Sequence, residues 1–151
     1  MKLRIAFPFA ACFILAAGSI YAQGEDEPAN EINPTEDADS PTGFYIPEDI
    51  EDCFTELETM LHPDMIEEMR SGDEDDMIMY HHGLGRWIRN NWGLWSGSRL
   101  FDYLYELGLH HPDDMSDIIL HSFWRYLNDR PLELEEQVQF YIDYWENVSG
   151  S

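Results

Sequence analysis

Three short phrases narrow the fold this chain can adopt: IPEDI at 46–50, HPDM at 62–65 and HPDDM at 111–115. Each sets a proline and one or two acids directly ahead of an apolar run. Proline loses no hydrogen bond at the first helical position, and acids lie favourably against the positive end of the helix dipole. The likeness among the phrases is one helix-start chemistry used again, not an architectural repeat. Behind Pro47-Glu48-Asp49, the residues Ile50, Phe54, Leu57 and Leu61 recur at helical spacing, with Cys53 and Met60 beside them. His62-Pro63 stops that helix, and Pro63-Asp64 begins a short second one through Met69.

The same signals organise the rest of the domain. Ser71 and Glu74 have capping-box spacing, and Asp73 to Asp76 load acids onto the next start. Met77, Tyr80, Leu84, Trp87 and Ile88 form an apolar stripe that predicts one helix over 77–91, running through Gly83 and Gly85. Ser98 is placed to cap a helix reaching Leu107, where Gly108 offers a left-handed C-terminal cap with Leu109 as its hydrophobic follower. Pro112-Asp113-Asp114 starts a helix with Ile118, Ile119, Phe123, Tyr126 and Leu127 facing inward, and Pro131 starts the last, carrying Leu134, Val138, Tyr141, Ile142 and Trp145. No apolar–polar alternation argues for a sheet. The expected fold is all-α, a compact array of roughly five or six short helices forming one domain over residues 44–148.

Residues 1–22 read as a secretory signal peptide. Lys2 and Arg4 precede an apolar run from Ile5 to Gly18, and small or neutral residues lead to a cut after Ala22. The run is short for a membrane span, which needs roughly 20 residues. Cys12 sits inside it with Phe13-Ile14-Leu15 still to come, which argues against lipid attachment. A secreted or periplasmic protein is expected, without stable membrane insertion after cleavage. Residues 23–43, QGEDEPANEINPTEDADSPTG, hold seven acids, three prolines, no base and one large hydrophobe, Ile32. Such a segment buries too little apolar surface to offset its ordering entropy, and a disordered acidic linker is expected.

All 31 acids lie beyond residue 22, whereas Lys2 and Arg4 lie before it, so cleavage makes the formal charge of −23 more negative still. That charge disfavours nucleic acid and anionic lipid as partners, because like charges repel. It permits cationic partners and divalent metals. Cys53 would be the only cysteine left, so no intramolecular disulfide is expected.

One stretch breaks the acidic pattern. GLGRWIRNNWGLWSGSR, residues 83–99, contains no acid and holds three of the five tryptophans. On the predicted helix His82, Arg86 and Arg89 line a face separate from the apolar stripe. Asn90-Asn91 suits a helix end, since asparagine tolerates left-handed backbone. Trp92, Leu94 and Trp95, between Gly93 and Gly97, would fold back as an apolar plug ahead of Arg99. Two readings are compatible with this stretch. In one, the tryptophans fill the core and the arginines pair with carboxylates on neighbouring helices. In the other, Trp92 or Trp95 walls a pocket where Arg86, Arg89 or Arg99 grips a carboxylate or similar anion through its planar fork. The candidate ligand-binding residues are Arg89, Asn90, Asn91, Trp92, Trp95 and Arg99.

The histidine pairs His81-His82 and His110-His111 raise a different chemistry. Imidazole beside carboxylate can bind zinc or serve as acid and base. Adjacent residues point about 100° apart on a helix, so a single site would use one histidine from each pair. The alternative site is therefore His82 or His111 with Asp113 or Asp114, acting in a hydrolase. Against it, His111 and the two aspartates also suit a helix entry. There is no HExxH, cysteine cluster or calcium-loop spacing, so no metal and no cofactor is expected. Cys53 lies on an apolar helix face, and Ser96 stands one position too late for G-x-S-x-G. Asn147-Val148-Ser149 fits a glycosylation sequon.

YHHGLGRWIRNNWGLWSGSRL, LGLHHPDDMSDIIL and WRYLN together resemble an uncharacterised bacterial family classed as a domain of unknown function. The resemblance covers about residues 45–146. It implies that the Arg86 position is variable, which favours Arg89 and Arg99 as site candidates, and it implies no reaction or substrate. The leading expectation is an exported, non-catalytic helical domain that binds a protein, peptide or small anionic ligand through the Trp/Arg/Asn segment. The rival is the His/Asp hydrolase.

Overall fold

Asp49, two residues beyond the proline that the sequence points to, opens the first helix by accepting the Asp52 backbone N–H at 2.9 Å. The cap satisfies one of the N–H groups that a helix start leaves unpaired. The computed structural model describes residues 32–150; the expected signal peptide at 1–22 and the acidic residues 23–31 lie outside the described residues. The chain forms α1 (Ile50–Met60), α2 (Pro63–Ser71), α3 (Arg86–Asn91), α4 (Arg99–Glu106), α5 (Pro112–Leu127) and α6 (Leu134–Ser149). A 3₁₀ segment (Glu74–Tyr80) and a π-helical turn (His81–Gly85) join α2 to α3. The class is all-α, as expected, and the β pairing among the described residues is two isolated bridges.

Local chemistry decides the other starts. His62 caps α2 through Nδ1, which accepts the Asp64 N–H at 3.2 Å, and Pro63 takes the first helical position. The capping box before the 3₁₀ segment is Asp73 with Asp76, not Ser71 with Glu74. Ser71 instead donates its hydroxyl to Glu67 O at 2.8 Å, closing α2. Ser98 caps α4 as expected, accepting the Phe101 N–H. Pro131 does not start α6. Arg125 holds Leu132 O at 2.8 Å, and the helix begins only after Glu133, which adopts a left-handed φ of 49°.

The single helix expected over 77–91 is replaced by three geometries in succession. A π turn inserts an extra residue per turn, so residues beyond it are rotated relative to a continuous α-helix. The expected cationic face is divided: Arg89 turns inward, while His82 and Arg86 stay exposed.

α5 is the central element and packs against every other α-helix and against the 3₁₀ and π segments. Met115, Ile118, Ile119, Leu120, Phe123, Trp124 and Leu127 are all buried, covering much more than one stripe, as a central helix requires. Phe54 of α1 stacks on Tyr126 with ring centroids 4.8 Å apart, although Tyr126, expected to face inward, is largely exposed. Cys53 is fully buried in this core, and burial pushes its thiol well up.

Residues 32–43, the described part of the expected linker, make defined contacts with the helical domain. Ile32 bridges to Leu61, Asn33 N–H donates to Met60 O, and Glu36 pairs with Phe44. Glu56, buried on α1, accepts both the Thr35 N–H and the Thr35 hydroxyl at 2.7 Å. These polar pairings hold an apolar-poor segment that composition alone would leave free.

Candidate functional site

Arg89 is 6% exposed and fully engaged within the fold. Its Nη1 donates to Ser116 Oγ at 2.7 Å, Nη2 reaches His81 O at 3.5 Å, and Nε lies 3.3 Å from Asp113 Oδ1. Gly85 leaves room for the guanidinium, since a Cβ there would come within 3.3 Å of Nη1. Asn91 Nδ2 donates to Trp87 O at 2.9 Å, and Asn90 is exposed. Trp92 is buried edge-on against Trp87, its indole N–H without a hydrogen-bond partner among the described residues. Trp95 is 59% exposed. Arg99 donates to Ile46 O from Nε at 2.6 Å and again from Nη2, with its guanidinium 4.9 Å from the Tyr45 ring centroid. Tyr45 in turn donates to Asp52 at 2.7 Å; that bond, with burial and the Asp52 charge behind it, pushes the phenol up to about 12.

The candidates therefore do not converge on one pocket. Arg89 joins α3 to α5, and Arg99 ties the start of α4 to the chain before α1. Beside Arg99, Asp37, Asp39, Ser40, Thr42, Gly93 and Ser96 line a groove of about 460 Å³.

A second constellation runs along α5, where Asp113, Asp117, His121 and Arg125 recur four residues apart on one line. Neighbouring elements interleave with them to give acids and bases in strict alternation. From Arg89 the order is Asp113, His81, Asp117, His121, Glu74, Arg125 and Glu133. The successive separations are 3.3, 3.5, 3.7, 3.8, 3.8, 2.5 and 2.9 Å. The imidazole–carboxylate spacings in the middle of this seam exceed usual hydrogen-bond length. Tyr141 of α6 donates its hydroxyl to Asp117, and burial followed by that bond drives its phenol far up. Beside the seam, Glu74, Asp117, His121, Glu136, Phe140 and Tyr141 line a cavity of about 360 Å³.

The alternative His/Asp set divides in two. Asp113 belongs to the seam, and His82 is exposed with its ring edge against His81. His111 and Asp114 do share a cavity, of about 350 Å³, with Tyr141, Trp145 and Ser149. There the His111 ring stacks on Trp145 at 3.8 Å, and Trp145 Nε1 donates to Asp114 Oδ2 at 2.7 Å. Burial raises the Asp114 carboxyl above its usual value, with the Trp145 bond and His111 opposing. Among the described residues, no group of three or more His, Cys, Asp or Glu side chains could hold a metal ion.

Residues 46–127 match the family model described as "Domain of unknown function (DUF6794)". The chain belongs to this family. No curated protein and no solved structure matches it. The family span contains both Gly83–Arg99 and the HPDDMS stretch, and it ends with the last residue of α5. The resemblance read from sequence extends to residue 146, whereas the family match leaves α6 outside.

Within the family span, His81, Ser116, Asp117, His121, Glu74 and Arg125 are the residues that sequence reasoning missed. The signal for three of them was the four-residue spacing Asp113, Asp117, His121, Arg125, a polar line down an otherwise apolar helix. Nothing comparable marks His81 over His82, because the π turn decides which of the pair turns inward.

Proposed function

We propose that this family member is an exported, non-catalytic helical domain that binds a protein or peptide segment across the Gly93–Arg99 turn. We read GLGRWIRNNWGLWSGSR and HPDDMS as sequence marks of a bacterial family. Export rests on the signal-like pattern of residues 1–22; no described helix is long and apolar enough to cross a membrane.

The observation that carries the binding reading is Trp95, 59% exposed on an ordered turn. Leu94 N–H donates to Arg89 O, Ser96 N–H and Ser98 N–H donate to Gly93 O, and Ser98 Oγ donates to Trp92 O at 2.7 Å. The indole is thus held outward, with more than half of its surface left in water. Exposed, pre-positioned tryptophan is the residue type most enriched at binding hot spots. Within the expectation of a protein, peptide or small anionic ligand, the geometry favours the first two. Arg89 and Arg99 direct their donors at Ser116, Asp113 and Ile46, and Asp37 and Asp39 give the groove beside Arg99 an acidic rim.

The test is selection of a random displayed-peptide library on the wild-type protein. Selected peptides should lose binding to Trp95→Ala while that variant keeps the wild-type unfolding profile. Peptides that bind both proteins equally would overturn the reading. The hydrolase reading draws on the cavity shared by His111 and Asp114. Hydrolysis of a p-nitrophenyl ester that His111→Ala abolishes would establish it instead.

A further inference from the structure

α6 carries apolar side chains on two faces. Val138 is buried, and Leu134, Tyr141 and Ile142 pack against the core. On the other side Phe140, Tyr144 and Val148 are 64%, 51% and 51% exposed. Their spacing of four places them on one stripe about 12 Å long. A surface helix ordinarily turns polar residues outward, so this stripe is an apolar surface without a partner among the described residues. Its surroundings are acidic: α6 contains Glu135, Glu136, Asp143 and Glu146 and no lysine or arginine. Phe140 also lines the cavity beside the seam, so the stripe runs into a recess holding Glu74, Asp117, Glu133 and Glu136. Arg125, the one arginine lining that recess, is already paired with Glu74 and Glu133.

We propose that the outer face of α6 and the adjoining acidic recess dock a basic amphipathic helix, on a surface separate from the Trp95 turn. Apolar residues of the partner at i, i+4 and i+8 would cover Phe140, Tyr144 and Val148. Lysines or arginines flanking them would meet Glu136, Asp143 and the mouth of the recess. Charge selects this occupant. A second copy brings the same formal charge of −23 and the same acidic helix, and an anionic lipid surface is repelled in the same way.

The test is calorimetric titration of the full chain with a synthetic leucine–lysine amphipathic helix of about 18 residues. An isomer of identical composition with its leucines scattered around the helix is the control. The amphipathic peptide should bind roughly tenfold tighter than the scattered isomer, and Phe140→Ala/Tyr144→Ala should remove roughly that factor. Added salt should weaken binding. Both side chains are exposed, so the double variant should keep its unfolding midpoint; if it does not, Phe140→Gln alone serves. Trp95→Ala should bind the peptide normally, which separates this surface from the proposed peptide groove. Equal binding of both isomers would reduce the effect to bulk charge, and unchanged affinity in the stripe variants would place the peptide elsewhere. Either result overturns the proposal, as would a dimer of the chain that the stripe variants dissociate, or capture by anionic vesicles in place of the peptide.

Discussion

His81 Nδ1 lies 3.7 Å from Asp117 Oδ1, and both atoms are buried without a hydrogen-bond partner among the described residues. The contact crosses from the π turn to the middle of α5. Asp117 serves a second imidazole, His121, at 3.8 Å through its other oxygen, which also accepts the Tyr141 hydroxyl. One carboxylate therefore links the π turn and α6 to the central helix.

Asp117→Ala should destabilise the domain by about 1–3 kcal/mol, because it leaves the Tyr141 hydroxyl without its acceptor. Asp117→Asn retains an oxygen for Tyr141 and should cost clearly less. Urea unfolding at neutral pH measures both. If the alanine variant unfolds at the wild-type midpoint, the seam contributes nothing to stability.

Arg89 and Arg86 should behave oppositely. Arg89 is buried between Ser116 and Asp113, so Arg89→Ala removes a buried charge-assisted bond and its packing, with an expected cost of about 3 kcal/mol. Arg86 is exposed, and Arg86→Ala should stay within about 0.5 kcal/mol of wild type. Thermal unfolding of the two variants side by side is sufficient. Equal losses would contradict the division of the expected cationic face.

That division marks where the sequence stops being legible. Helix starts at His62-Pro63 and Ser98 follow from residue type, since each cap is a local bond within three residues. The core positions Ile50, Phe54, Leu57, Ile118 and Phe123 follow from spacing. The π turn does not, because Met77 to Ile88 satisfies helical periodicity closely enough to hide one inserted residue. Glu56 was the readable clue to the ordering of residues 32–43: an acid among Cys53, Phe54, Leu57 and Met60 on a buried face requires a partner. Its partner, Thr35, is 21 residues away in a segment whose composition points to disorder. Trp92 and Trp95 show the same limit within one turn. Trp92 stands between Asn91 and Gly93 and Trp95 between Leu94 and Ser96, and those neighbours do not mark which of the two is buried.

Asp114→Asn should stabilise the domain at neutral pH. Burial holds the folded carboxyl above its usual value of 3.8, so the native state retains its proton where the unfolded chain has lost it. Stability contributed by the protonated group is complete below the unfolded value and is lost as pH rises through the folded one. Asparagine keeps an oxygen for Trp145 Nε1 and never ionises. Its advantage over wild type should therefore be present at neutral pH, shrink as pH falls through the folded value, and vanish below 3.8. Paired urea unfolding curves across that range test the sign. An advantage that grows on acidification would show the carboxylate to be net stabilising instead.

Two glycines separate backbone need from helix propensity. Gly108 ends α4 with a φ of 111°, and a Cβ there would meet Ile142 Cδ1 at 2.9 Å. Gly108→Ala combines left-handed strain with a shift of the Ile142 side chain, and should cost about 1–3 kcal/mol. Gly83, in the π turn, has no heavy atom within 4 Å of a built Cβ and is not at positive φ. Gly83→Ala should be neutral or stabilise by about 0.5–1 kcal/mol, through the reduced entropy of the unfolded chain. A large loss at Gly83 would mean that the π turn itself depends on glycine. It should then be accompanied by weakened protection of the Arg89-to-Ser116 contact, read as faster amide exchange in α3 and at the start of α5. Unchanged exchange there would assign the loss to Gly83 alone and leave the seam intact.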